Sequence, residues 1–203
     1  MTKHAFSLWN NLLGWFTFVV ALTTYYLTAE PTASFWDAGE YIATSAKLQV
    51  GHPPGAPFYQ IFGAFFSMFA SDDSQIAFMV NLMSGVASAF AILFMFWSIT
   101  LLLKKLTKNI EVNTKASDVA ILTSSAIGAL TFTFTDSFWF SAVEAEVYAM
   151  AACLMAAMFY VALLWERDMH KPRGNRWLIL ICLIIGLSFG VHFMGLLTIP
   201  AIG

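Results

Sequence analysis

The segment that decides the fold is Gln75–Leu103, with the sequence QIAFMVNLMSGVASAFAILFMFWSITLLL, which carries no acid and no base. A helix needs about 20 apolar residues, each adding ~1.5 Å, to cross the hydrocarbon core of a bilayer. Four other runs are uncharged, namely Ser7–Ala29, Val119–Thr135, Val147–Trp165 and Trp177–Gly203. All five are apolar around their whole circumference, whereas helices of a soluble protein of this size have one polar face.

The composition agrees with this interpretation, because 59% of the residues are hydrophobic, only 11% are charged, and the mean hydropathy is +0.72. We therefore predict an all-α integral membrane protein, a polytopic bundle of about five transmembrane helices with a cytoplasmic N-terminus. The predicted spans cover residues 8–28, 76–103, 118–138, 147–165 and 177–200. Residues 29–75 are predicted to form an external loop that contains short juxtamembrane helices.

The orientation follows from the cations, because Lys and Arg are enriched in cytoplasmic loops. If the five spans alternate, nine of the ten Lys and Arg residues fall on one side of the membrane, and Lys47 alone falls on the other. The nine are Lys3, Lys104, Lys105, Lys108, Lys115, Arg167, Lys171, Arg173 and Arg176. This side is predicted to be the cytoplasm.

The external loop carries the first acid pair, Asp37 and Glu40, within the segment FWDAGEYIATSAKLQVGHPPGAPFY at residues 35–59. If residues 37–50 are helical, both acids share one face with Lys47. The following HPP sequence forces an extended turn that presents His52 beside them. The competing interpretation is a solvated helix that Asp37 caps, but the aromatic residues before it favour burial at the membrane surface.

A second acid pair, Glu144 and Glu146, precedes the fourth span. An ExE spacing directs the two side chains to different faces of a helix, but in an extended loop both can converge on one ligand. A desolvated carboxylate is costly at this depth unless it is paired, protonated or metal-bound. His192 lies in the outer part of the fifth span, where a packing role and a binding role are equally consistent with the sequence.

Residues 58–70, FYQIFGAFFSMFA, are too few to cross a bilayer, so we predict an interfacial helix. Cys153 and Cys182 both lie within spans and support neither a disulfide nor a cysteine metal site. The chain has no glycine-rich phosphate loop and no basic stripe, so nucleic-acid partners are not expected.

The order of these motifs resembles the GT-C class of membrane glycosyltransferases. Within that class, the chain is most similar to the protein O-mannosyltransferase-like branch, which includes a large bacterial family long catalogued as a domain of unknown function. The resemblance rests on residues 35–59 and more weakly on FWFSAVEAEVYAM at 138–150 and GVHFMG at 190–195. Members are several times longer, so residues 1–203 are expected to be the N-terminal part of a GT-C-like transmembrane domain. A bacterial inner membrane, with the site facing outward, is the location that the resemblance implies.

The resemblance implies transfer of a mannose-type sugar from a polyprenyl-phosphate donor to an external acceptor, a protein Ser/Thr hydroxyl or a glycan, with inversion. Asp37 or Glu40 would be the catalytic base; these acids are adjacent in the family but three positions apart here, so the choice stays open. The expected substrate-binding residues are Lys47, His52, Glu144, Glu146, Tyr148 and His192.

No cofactor is expected to be required, and a divalent metal, if present, would be bound by Glu144 and Glu146. The alternative function is a secondary transporter or a proton-binding or ion-binding membrane protein, in which the intramembrane acids and His192 hold the ion. Clustering of the acids at one membrane face, away from the midplane, favours the transferase.

Overall fold

The computed structural model describes residues 1–107 and 114–201, so the predicted cytoplasmic position of Lys108 lies outside the described residues. All regular structure in this part of the chain is helical, which confirms the predicted fold class. The helices are α1 (Lys3–Thr28), α2 (Ala38–Ala46), α3 (Pro57–Ser67), α4 (Ile76–Leu106), α5 (Thr114–Thr133), α6 (Asp136–Ala142), α7 (Val147–Asp168) and α8 (Arg176–Phe189). Short 3-10 segments cover Asp73–Gln75 and Phe193–Ala201.

Four of these helices, α1, α4, α5 and α7, are long and apolar enough to cross a membrane. The helix α4 lies at the centre of the bundle and contacts α1, α3, α5 and α7. Its small residues, including Ala89 and Ala91, are buried against these neighbours, while large side chains such as Phe96 fill the spaces between them. The decisive uncharged segment at residues 75–103 therefore forms the core of the bundle.

Contacts between the helices define the two ends of the bundle. At one end, the N-terminal ammonium group of Met1 pairs with Asp118 at 2.8 Å, and Lys105 pairs with Glu166. At the other end, the indole N–H of Trp139 donates a hydrogen bond of 2.9 Å to the hydroxyl of Thr28. The described cations that were predicted to be cytoplasmic thus share the first end.

Two of the predicted spans differ from the structure. The fifth was predicted as one span over 177–200, but α8 ends at Phe189 and a 3-10 segment begins at Phe193. The reason is tertiary: the carbonyl oxygen of Gly190 accepts the backbone N–H of Phe58 at 2.7 Å and so supplies a partner for the start of α3. The third span ends at Thr133, and the aromatic residues after it form the separate helix α6.

The loop between α1 and α4 is folded onto the bundle. Asn81, fully buried on α4, donates its side-chain amide to the carbonyl oxygens of Glu30 at 2.7 Å and Thr32 at 2.9 Å. The helix α3 buries Tyr59, whereas other large apolar side chains on it and directly after it are exposed, namely Ile61, Phe62, Phe65, Met68 and Phe69. An exposed apolar face on a helix too short to span is typical of a helix lying in the membrane interface.

We expect Gly63→Ala to lower the stability of the protein by about 1–3 kcal/mol, because overpacking forces a backbone shift. A Cβ at Gly63 would lie 2.7 Å from the Cβ of Ser45, at the contact between α3 and α2. The matched control is Gly186→Ala in α8, where a Cβ would meet no atom within 4 Å. Thermal unfolding in detergent should show a lower Tm for the first variant and not for the second; equal Tm values would contradict this packing.

We expect a cysteine at position 47 to react with a membrane-impermeant thiol reagent added to intact cells, and one at position 173 to react only after permeabilisation. Nine of the ten cations lie on the predicted cytoplasmic side, which includes Arg173, whereas Lys47 lies on the other. The background protein has Cys153 and Cys182 replaced by alanine. Labelling of position 173 in intact cells would show that the bundle has the opposite orientation.

Candidate active site

The first acid pair lies where the chain enters α2. Trp36 adopts a left-handed backbone conformation, with φ at 61°, which is strained for a bulky residue. Its side chain is 86% exposed. Asp37 follows at the N-terminus of α2, and its side chain is 56% exposed. The conformation of Trp36 therefore places an accessible carboxylate at the start of a helix.

Glu40 is fully engaged by His52 in the turn that follows α2. One carboxylate oxygen accepts the backbone N–H of His52 at 2.6 Å, and the other lies 3.0 Å from the ring atom Nδ1. The second ring nitrogen, Nε2, lies 3.9 Å from Asp37. Backbone and side-chain hydrogen bonds from His52 lower the pKa of Glu40, and the same side-chain bond raises the pKa of His52. Asp37 is left as the less engaged of the two acids.

The second acid pair lies in the short non-helical stretch between α6 and α7. The side chain of Glu144 is buried and accepts the hydroxyl of Ser34 at 2.6 Å. Burial raises the pKa of Glu144, although the Ser34 hydrogen bond opposes this shift. The contact ties the acid pair before α7 to the loop that carries Asp37.

Glu146 is the most perturbed acid at this end of the bundle. Its side chain is only 6% exposed, and burial, followed by the charges of Glu144 and Asp37, raises its pKa to about 7. Hydrogen bonds from the backbone of Asp37 and Val147 oppose the shift. A carboxyl with such a pKa exchanges a proton near neutral pH, which is where acid–base catalysis is most effective.

Two cavities meet at these residues. The acid cavity, of about 310 Å³, is lined by Trp36, Asp37, Phe140, Ser141, Glu144, Glu146 and Tyr148. The histidine cavity, of about 90 Å³, is lined by Asp37, Tyr41, His52, Pro54, Gly55, Glu146, Val147, Tyr148, Val191 and His192. Asp37, Glu146 and Tyr148 line both cavities and so form the junction between them.

Most of the residues that the sequence singled out therefore come together. The ring of His192 packs against that of Tyr148, with centroids 5.4 Å apart, and its Nδ1 accepts the backbone N–H of Met194 at 3.0 Å. Two predicted residues line neither cavity: Glu40, which reaches the site through His52, and Lys47, which caps the C-terminus of α2 and is exposed. The roles assigned to these residues stay predictions.

A further group of residues could hold a metal, in addition to the Glu144 and Glu146 that the sequence suggested. Within residues 1–107 and 114–201, the group with suitable spacing is Asp37, Glu40 and His52, whose ligand atoms lie within 4.8 Å of one another. Two carboxylates and an imidazole are donors that divalent transition metals accept. Glu144 has a hydroxyl partner in Ser34.

Sequence reasoning missed two residues that organise the site, Ser34 and Asn81. The sequence contained a sign of the role of Asn81, because this residue is an amide inside an uncharged membrane span, where a polar group needs a partner. Ser34 had none, because its partner Glu144 is 110 positions away in the sequence.

Comparisons with known proteins place the chain in a family. The model of a family described as "Protein O-mannosyl-transferase TMEM260 N-terminal domain" matches residues 37–203, a range that begins at Asp37 and includes every candidate site residue. A curated protein from Dictyostelium discoideum, named protein O-mannosyl-transferase tmem260, is 26% identical over 151 residues. The aligned region covers 74% of this chain but only 16% of that relative. No solved structure matches the chain.

Proposed function

This chain belongs to the family of protein O-mannosyl-transferase TMEM260 N-terminal domains, and on that premise we propose that it forms the acid-bearing part of a membrane glycosyltransferase. The enzyme would transfer a mannose-type sugar from a polyprenyl-phosphate donor to a hydroxyl of a protein or glycan acceptor, with inversion and from the non-cytoplasmic side. The observation that carries the proposal is the junction of the two cavities, which Asp37 and Glu146 both line at one end of a membrane bundle.

An apolar groove beside these cavities suits the lipid part of such a donor. It has a volume of about 590 Å³ and lies between α4, α5, α6, α7 and the last 3-10 segment. Phe138 and Met194 contribute to its wall. Phe138 lies on α6 with Phe140, which lines the acid cavity, and Met194 lies two residues after His192, which lines the histidine cavity. A lipid chain in the groove would therefore have its phosphate close to both cavities.

Asp37 is the residue best placed to act as the general base. Its carboxylate is accessible and lines both cavities, whereas both oxygens of Glu40 are occupied by His52. In an inverting transfer, the acceptor oxygen attacks the anomeric carbon while the base takes its proton and the bond to the phosphate breaks. The hydrogen bonds from His52 to Glu40 thus support Asp37 as the base in this proposal.

His52 also suits the stabilisation of the leaving phosphate. Its raised pKa favours the imidazolium form, and its ring faces the histidine cavity. A fixed positive charge aimed at a developing phosphate anion lowers the barrier to bond breaking. Lys47 lies outside this cavity, so in this proposal it contacts only the approaching acceptor or the lipid surface.

The test is a transfer assay with the full-length protein in membranes, using radiolabelled mannose on a polyprenyl phosphate and Ser/Thr peptides or glycans as acceptors. We expect label to move from lipid to acceptor in proportion to the amount of protein. The matched control supplies the mannose as a nucleotide sugar after removal of the endogenous lipid acceptors. Label transfer from the nucleotide sugar alone, or no transfer with either donor, would contradict the proposal.

A further inference from the structure

Glu146 has a position that a purely substrate-binding role does not require. It is buried, and it is one of three residues shared by the two cavities. A carboxylate that merely bound sugar hydroxyls would gain nothing from this burial, because desolvation disfavours its charged form. The placement is typical of a carboxyl group that holds a proton.

The two cavities differ in the part of a sugar phosphate that each could bind. The acid cavity offers carboxylates and the aromatic side chains of Trp36, Phe140 and Tyr148, which suit hydroxyl groups and the apolar face of a sugar ring. The histidine cavity is smaller and contains His52 and His192, which suit an anion. A sugar phosphate placed this way would have its bridging oxygen at the junction, beside Glu146.

We infer that Glu146 is the acid of the transfer reaction, donating a proton to the bridging phosphate oxygen as that oxygen leaves the sugar. This inference rests on the proposed function. The bond between the anomeric carbon and the bridging oxygen breaks, its electron pair stays on the oxygen, and the proton of Glu146 joins it. The acceptor oxygen forms the new bond to the anomeric carbon, and its proton passes to Asp37.

After the transfer, the two carboxyl groups return to their starting protonation states. Asp37 holds the acceptor's proton and Glu146 has lost its own, so one proton transfer between these neighbours returns both to their starting states. The balance needs no further reactant, because the acceptor supplies one proton and the product polyprenyl phosphate carries one away. A buried acid paired with an accessible base is the arrangement by which two carboxyl groups take opposite roles in one site.

Several other groups near Glu146 titrate or carry charge, so the test has to separate their effect on kcat from that of Glu146. They are Glu144 on the same segment, Asp37, Glu40 and Tyr41 on or beside α2, His52 in the following turn, Tyr59 on α3, Tyr148 on α7, and His192 after α8. The raised pKa of Glu146 means that its protonated form is present at low pH and is lost as the pH rises through about 7.

The first test compares the pH dependence of kcat in the full-length protein and in Glu146→Gln. In the wild type, we expect kcat to fall as the pH rises through about 7. In Glu146→Gln, kcat should be about tenfold lower at low pH and the fall should be smaller, because glutamine cannot release a proton and only the loss of charge on His52 still lowers kcat. This tenfold decrease of kcat is smaller than is usual when an acid catalyst is removed, because a phosphate with a pKa near 6 is already a good leaving group. The control Asp136→Asn, an exposed acid at the start of α6, should keep the wild-type profile.

A second measurement does not depend on activity. Infrared difference spectra of the purified full-length protein, recorded across pH 5–9, should contain a protonated carboxyl band that disappears near pH 7. The band should be missing from Glu146→Gln and present in Asp136→Asn. Absence of the band from the wild type, or its persistence in Glu146→Gln, overturns the inference even if sugar transfer is observed. If the band behaves as expected but no transfer occurs with any donor, the proposed function fails and with it the role in transfer.

Discussion

The substitution Asp37→Asn is expected to reduce sugar transfer by about 10²–10⁴-fold, the range usual for loss of a general base. Asparagine has the size of aspartate but cannot accept the acceptor's proton. The side chain is half exposed at the N-terminus of α2 and makes its described ion pair only with His52, at 3.9 Å. Expression and thermal stability should therefore stay close to those of the wild type.

The measurement is kcat in the membrane transfer assay, with the Kd for the lipid donor determined in parallel. We expect kcat to fall while that Kd changes little, because the base acts on the acceptor. Asp73→Asn, an exposed acid beside the start of α4, is the matched control and should transfer normally. If Asp37→Asn keeps near-normal turnover while Glu40→Gln abolishes it, Glu40 is the base; if neither has an effect, the loop is not the catalytic site.

The substitution Glu40→Ala is expected to reduce transfer by about 10²-fold, because a misplacement of about 1 Å near the reacting atoms can cost that much. Both oxygens of Glu40 hold His52, one through the backbone and one through the ring. Without them, the turn at residues 52–55 loses its anchor on α2, and the wall of the histidine cavity that it forms can move. Glu40→Gln should lose less activity, because its carbonyl oxygen still accepts the backbone N–H of His52.

The ion pair between Glu40 and His52 is expected to depend on pH. Glu40 raises the pKa of His52, so the charged contact is fully present below the ordinary histidine value of about 6.5 and is lost as the pH rises through the raised value. The pKa of Glu40 is lowered, so the contact persists above the ordinary glutamate value and is lost as the pH falls through the lowered one. NMR titration of His52 should give a lower pKa in Glu40→Gln than in the wild type. An unchanged value would show that Glu40 does not hold the ring.

Sequence reasoning predicted the helices most reliably where a run was uncharged and long enough to cross a bilayer. The run at residues 75–103 became α4, and the other long runs became α1, α5 and α7. It was least reliable where tertiary hydrogen bonds end a helix. The residues after Trp177 are apolar over the length of a span, but the carbonyl oxygen of Gly190 is used by α3, and the α-helix ends before it.

The sequence also identified the ionisable residues of the candidate site but not their arrangement. Asp37, His52, Glu144 and Glu146 were noticeable because few ionisable residues occur in a chain that is only 11% charged. The spacing of Glu144 and Glu146 left open whether they would converge, and both do line the acid cavity. Their burial could not be deduced, because it depends on which segments pack over residues 143–146.

Hydropathy, length and charge are local properties, so they sufficed to predict the class of protein, the long helices and the set of acids and histidines at one end of them. The packing of the helices is what brings His52 to Glu40, pairs Glu144 with Ser34, and buries Glu146 at the junction of two cavities. These contacts join segments that are 12 to 110 positions apart. A carboxyl group takes its protonation state from its surroundings, and those surroundings exist only once the helices have packed.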